Sequence, residues 1–130
     1  MKLINPNNDE LNAAFAEKVC GWMWRQERGH AAWYVQSDDP DPYKWIRICG
    51  PKGGDIMLDG GLRFATSADA VIPYLERQQD GYGVDFDTEA RCYFVTLCSQ
   101  EVDAVLGISH SFARAACIAL LRARGVHITT

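Results

Sequence analysis

The sequence predicts one α+β domain in the order α-β-β-α-β-β-α, a sandwich-like arrangement in which three helices cover an antiparallel sheet of about four to five strands. Three observations predict it. Apolar residues recur at helical spacing near the start, two pairs of strand-like segments are each divided by turn residues, and an alanine-rich helical stretch lies near the end. With 130 residues, 48% of them apolar, the chain can bury one core. No repeat or linker divides it, so residues 1–130 read as a single domain.

Leu11, Phe15, Val19 and Met23 repeat every four residues, while Asn12, Glu17 and Lys18 fall elsewhere, which predicts a helix from Asn8 with one face on the core. Asn8 is placed to cap it, Asp9 and Glu10 suit the positive end of its dipole, and Gly21 can stop it. After the polar residues 25–29, the run Ala31-Ala32-Trp33-Tyr34-Val35 favours a strand over 32–36. Residues 37–42 contain Pro40 and Pro42 and read as a loop. Residues 43–48 alternate, with Tyr43, Trp45 and Arg47 on one face, so the two strands form a hairpin. The glycines of 50–55 and 59–61 mark turns and leave Ile56-Met57-Leu58 as a short strand or packed connection.

A second helix is expected to about Gln79, with Val71, Ile72 and Leu75 inward. Starting it at Asp69 places Pro73 nearest the first turn, where a missing N–H costs least. Residues 82–87 and 91–98 form the second hairpin. The later strand is the more central, because apolar residues fill both its faces. Residues 99–107 read as a connection. Ser109 or Ser111 then caps a helix to Arg124 that Gly125 ends. Phe112, Ala115, Ala116, Ala119, Leu120 and Ala123 give it a small-residue face suited to close approach to a sheet, with Arg114, Arg122 and Arg124 outward.

Charge and cysteine usage narrow the function. A net charge of −4 argues against sequence-independent nucleic-acid binding, which draws its affinity from Lys and Arg on phosphates. No run of about 18 apolar residues predicts a membrane span, and the first residues lack a signal-peptide pattern, so a cytoplasmic location is expected. Cys20, Cys49, Cys92, Cys98 and Cys117 are widely spaced within apolar segments and read as buried free thiols. With no C-x-x-C pair, and with His30, His110 and His127 not spaced as ligands, neither a metal nor another cofactor is implied.

Catalytic signatures are likewise missing. Lys52 sits among Gly50, Gly53 and Gly54 without the order of a phosphate-binding loop. Asp38, Asp39 and Asp41 lack calcium-loop spacing, and Ser109-His110-Ser111 lacks an orienting carboxylate and reads as a helix cap. Asp85, Asp87, Glu89 and Asp103 read as surface carboxylates.

The tryptophans are the strongest feature. Trp22, Trp24, Trp33 and Trp45 fall within two dozen residues, and tryptophan is enriched in binding hot spots. Either the core absorbs them, or Trp24, Trp33 and Trp45, with Arg47 and Lys52 beside them, form a binding surface.

Three stretches resemble the small phage and prophage proteins of the phage ABA sandwich family. Ala16-Glu17-Lys18-Val19-Cys20-Gly21-Trp22-Met23-Trp24 follows that family's A-E-K-V-M-G-W-x-W opening, with Cys20 in place of Met. Thr66-Ser67-Ala68-Asp69-Ala70-Val71 and Arg114-Ala115-Ala116-Cys117-Ile118-Ala119-Leu120 follow its central and terminal helices more loosely. Pro73 and the insertions at 38–42 and 50–61 depart from the pattern. The resemblance implies a fold and a phage-like origin and brings no activity to transfer. It points to a non-enzymatic accessory protein in the bacterial host's cytoplasm that engages a host or phage macromolecule, such as a counter-defence factor, and a homo-oligomer is compatible. The alternative is a nucleotide- or small-molecule-binding protein or a small enzyme using Arg47, Lys52 and the aromatic platform.

Overall fold

The computed structural model describes residues 1–27, 30–35, 46–49, 62–98 and 104–130, with side chains for 1–24, 62–98 and 104–130. The order is β1 (Lys2–Ile4), α1 (Asn8–Lys18), β2 (Met23–Glu27), β3 (His30–Val35), β4 (Ile46–Cys49), α2 (Ala68–Glu76), β5 (Tyr82–Asp87), β6 (Cys92–Leu97), β7 (Val105–Ser109), α3 (Phe112–Ala123) and β8 (His127–Thr129). The α+β class and the three helices agree with the sequence. The single sheet does not. Among the described residues β2-β3-β4 and β5-β6-β7 are separate antiparallel sheets, and β1 pairs with β8 in parallel.

The additional strands have physical reasons. β1 and β8 are three residues each, too short for alternation to show, and they meet only when the chain's two ends come together. β2 starts at Met23 and runs into what reads as a polar stretch, and β7 occupies what reads as a connection, because Gly107 interrupts its apolar pattern.

Asn7, rather than Asn8, caps α1. Its Oδ1 accepts from Glu10 N at 2.8 Å while Asn7 N donates to Glu10 Oε1 at 3.2 Å, a reciprocal box that satisfies two otherwise orphan donors. Leu11 and Phe15 are fully buried as expected, but Asn12 is buried as well, and Met23 belongs to β2 and is exposed. In α2 Ser67 is the N-cap and Pro73 is the sixth helical residue, beyond the tolerated first turn; the helix ends at Glu76, short of Gln79.

The last helix is read well from sequence. Ser111 Oγ accepts from Arg114 N at 3.4 Å, and Gly125, at φ +84°, follows the Arg124 cap. It is the centre of the core, buried continuously from Ala115 to Leu121. One side lies on β6 and β7, where Val95, Leu97 and Gly107 face it; α1 and α2 pack on the other.

Two arginines expected to point outward do not. Arg114 Nη1 donates to Asn8 Oδ1 at 2.8 Å and Nη2 donates to Pro6 O. Arg122 donates to Leu106 O at 2.8 Å and to Ile128 O at 2.7 Å, tying β7 to β8. A guanidinium carries five donors and no acceptor, so carbonyls left over at chain crossings are its natural partners. Arg124 is exposed as expected, whereas Ala123, assigned to the packed face, is also exposed.

Beside α3 an aromatic cluster closes the core. Phe15 stacks on Phe64 with centroids 4.4 Å apart and meets Tyr74 edge-on at 5.1 Å, and Trp22 lies 5.8 Å from Phe64.

The cysteines divide. Cys117 is buried and Cys20 half-buried, but Cys92 is only partly covered and Cys98, just past the end of β6, is exposed. Burial pushes the Cys20 thiol up to about 11, although its contact with Tyr74 Oη at 3.1 Å and the charge of Arg77 oppose this; burial raises Cys117 further still. Among these four thiols, native-state alkylation mapped by mass spectrometry is expected to label Cys98 first and Cys117 only on unfolding; the Cys49 side chain lies outside the described residues. The unfolded Cys20 thiol ionises from 9.0 and the folded one near 11, so the folded state holds its proton longer. The stability this contributes is full below pH 9 and is lost as pH rises toward 11, which denaturant titrations at successive pH values would show.

Candidate interaction surface

The tryptophans part company where α1 gives way to β2. Gly21, at φ +73°, lets the chain turn out of the helix. Trp22 folds back onto Phe64, whereas Trp24 stands 42% exposed on β2. The β2–β3 register sets Trp24 directly opposite Trp33, and Trp33 is in turn opposite Cys49 of β4. Directly opposed residues of an antiparallel pair have Cβ atoms about 5 Å apart, so the backbone brings two sites of the candidate surface together.

The remaining candidates are arranged differently from expectation. A register shift between Trp33 and Tyr34 sets Arg47 opposite Tyr34, a position that alternation assigns to the other face from Trp33. The sequence groups Trp33 with Arg47 because period two is counted without the irregularity that the pairing introduces. Trp45 and Lys52 lie outside the described residues, as do the loops at 37–42 and 50–61 and Asp103.

The β6–β7 end shows what the only described cysteine–histidine contact does. His110 Nδ1 lies 3.0 Å from Arg91 O and 3.6 Å from Cys92 Sγ, while the Cys92 thiol donates to Ala90 O at 3.4 Å. A carbonyl can only accept, so Nδ1 carries the proton and is not a base toward Cys92. The group clamps the β5–β6 turn, where Arg91 sits at φ +54° and Asp87 Oδ1 accepts from Glu89 N at 2.9 Å and Ala90 N at 3.2 Å. Among the described residues no group of three or more His, Cys, Asp or Glu could hold a metal ion.

The sequence does not single out the second exposed feature. Tyr82, Val84 and Phe86 of β5 are 37%, 42% and 50% exposed, although they alternate like an ordinary half-buried strand. Pattern alone could not separate them from core residues, because their exposure depends on where α3 sits.

No protein-family model matches this chain, and no curated protein or solved structure matches it. Among the described residues no helix is long and apolar enough to cross a membrane.

Proposed function

We propose that this chain is a phage- or prophage-type accessory protein that acts by binding, engaging a host or phage protein in the bacterial cytoplasm through the β2–β3–β4 sheet. The observation that carries the reading is the exposed Trp24 set in register with Trp33. Leaving a large indole at the surface forgoes part of its burial energy, and such a ring regains it when a partner covers it. The resemblance of residues 16–24 to the opening of the phage ABA sandwich family supports the phage setting, in which blunting a host defence is a fitting role.

The test is affinity capture of the tagged chain from a bacterial host lysate, with the retained proteins identified by mass spectrometry. One stoichiometric partner is expected, its retention falling on the order of tenfold or more in Trp24→Ala, as for a hot-spot truncation. The loss of retention should exceed what any fall in the thermal midpoint explains, because Trp24 is 42% exposed and is not among the buried core residues. A blank across hosts, or capture indifferent to both Trp24→Ala and Trp33→Ala, overturns the reading.

A further inference from the structure

The β5–β6–β7 sheet has two unlike margins. β7 lies against α3 and is held by Arg122, whereas β5 pairs, among the described residues, with β6 alone. Register sets Tyr82, Val84 and Phe86 opposite Leu97, Val95 and Tyr93, on the face where Val95 and Leu97 are buried. α3 packs over β7 and β6, and this row on β5 stays 37% to 50% exposed. Phe86 rests 4.8 Å from Tyr93, itself 6.1 Å from Phe112 of α3, so the row is anchored to the core.

Backbone direction makes the same residues the outward ones. Cys98 N donates to Gly81 O at 3.1 Å, so that carbonyl points at β6. In a trans peptide the N–H lies opposite the C=O, so Tyr82 N–H points away from β6, and alternation repeats this at Val84 and Phe86. One set of residues therefore carries both the exposed apolar side chains and the backbone donors and acceptors of an edge that, among the described residues, no strand pairs.

We propose that β5 forms the interface of a symmetric dimer, pairing antiparallel with β5 of a second copy about a two-fold axis through Val84. The occupant is a second copy because the strand is self-complementary in this register. Tyr82 meets Phe86, Val84 meets Val84, and each hydrogen-bonded pair exchanges two N–H···O=C bonds. The charges agree: Asp85 meets Gly83 and Asp87 meets Gly81, so no carboxylates are directly opposed. Centring the pair on Asp85 would set two carboxylates against each other, and centring it on Gly83 would leave Phe86 without an apolar partner. The strand has no proline, no basic residue and no bulge to block pairing. One strand pair is a small interface, in the class below about 1,200 Å², so association is concentration-dependent.

Sedimentation equilibrium on the full chain, combined with residue-resolved amide exchange over the same concentrations, tests this. The mass is expected to move from monomer to dimer, with the Tyr82, Val84 and Phe86 amides gaining protection in step while Gly83 and Asp85 are protected throughout. Val84→Lys, which opposes two ammonium groups, should raise the dissociation constant on the order of tenfold or more with little change in melting. Val84→Pro removes the outward N–H without touching the β6 ladder and should do the same. A monomeric mass up to millimolar concentration, a dimer indifferent to both variants, or protection of the three amides at every dilution overturns the proposal.

Discussion

Gly107→Ala is expected to be among the most destabilising single-methyl additions to this protein. A Cβ at position 107 would stand 2.0 Å from Ala115 O and 2.7 Å from Ala119 N, both backbone atoms of α3. Backbone cannot rotate aside as a side-chain tip can, so the helix must lift from β7. Because α3 also supports α1 and α2, the shift opens gaps through the core around Val95, Leu97 and Leu120. Overpacking of this kind costs about 3 kcal/mol. For a domain of this size that lowers the melting midpoint on the order of 10 °C. Thermal unfolding followed by circular dichroism checks it, and an unchanged midpoint would mean that the helix does not approach so closely.

Asn12→Ala is expected to have a comparable effect for a different reason. Asn12 is 6% exposed; its Nδ2 donates to Leu62 O at 2.8 Å and its Oδ1 accepts from Ala65 N at 2.8 Å. The side chain thereby satisfies the backbone of the segment entering α2, whose Ala65 is itself buried. Truncation leaves the buried Ala65 N–H without its partner, at about 1–3 kcal/mol, and the partly buried Leu62 O without its own at a smaller cost. Asn12→Asp separates the two bonds: an ionised carboxylate still accepts from Ala65 N but cannot donate to Leu62 O, and its burial is penalised. Its destabilisation should therefore shrink as pH falls and the carboxyl protonates, whereas that of Asn12→Ala stays constant. Denaturant titrations of both variants at pH 7 and at acid pH separate the two outcomes.

Asn12 also shows where sequence reasoning stops. On a helical wheel it lies off the Leu11–Phe15 stripe, and a polar residue there reads as solvated. Its burial follows from the approach of residues 62–65, about fifty positions along the chain, whose backbone needs partners that only a neighbouring side chain can supply. Arg114 and Arg122 are read outward for the same reason, since their partners are carbonyls of Pro6, Leu106 and Ile128 on other elements. Of the candidate surface, the tryptophan density is legible. That Trp22 turns inward while Trp24 stands in register with Trp33 is not, because strand register is not a local property.

What the sequence alone determined is local. The α+β class, the bounds of β5, the central place of β6 in its sheet, a start of the last helix at Ser109 or Ser111 and its Gly125 end, and the small residues that let it approach a sheet all follow from spacing, caps and residue size within a few turns of chain. The tertiary structure decided the rest: the division of the described strands into three sheets, the parallel pairing of β1 with β8, the β7 strand that Gly107 disguises, and the exposure of the β5 row. Each depends on which elements meet across long stretches of sequence, and that is settled by the burial and hydrogen bonding of the whole chain, which short-range patterns do not encode.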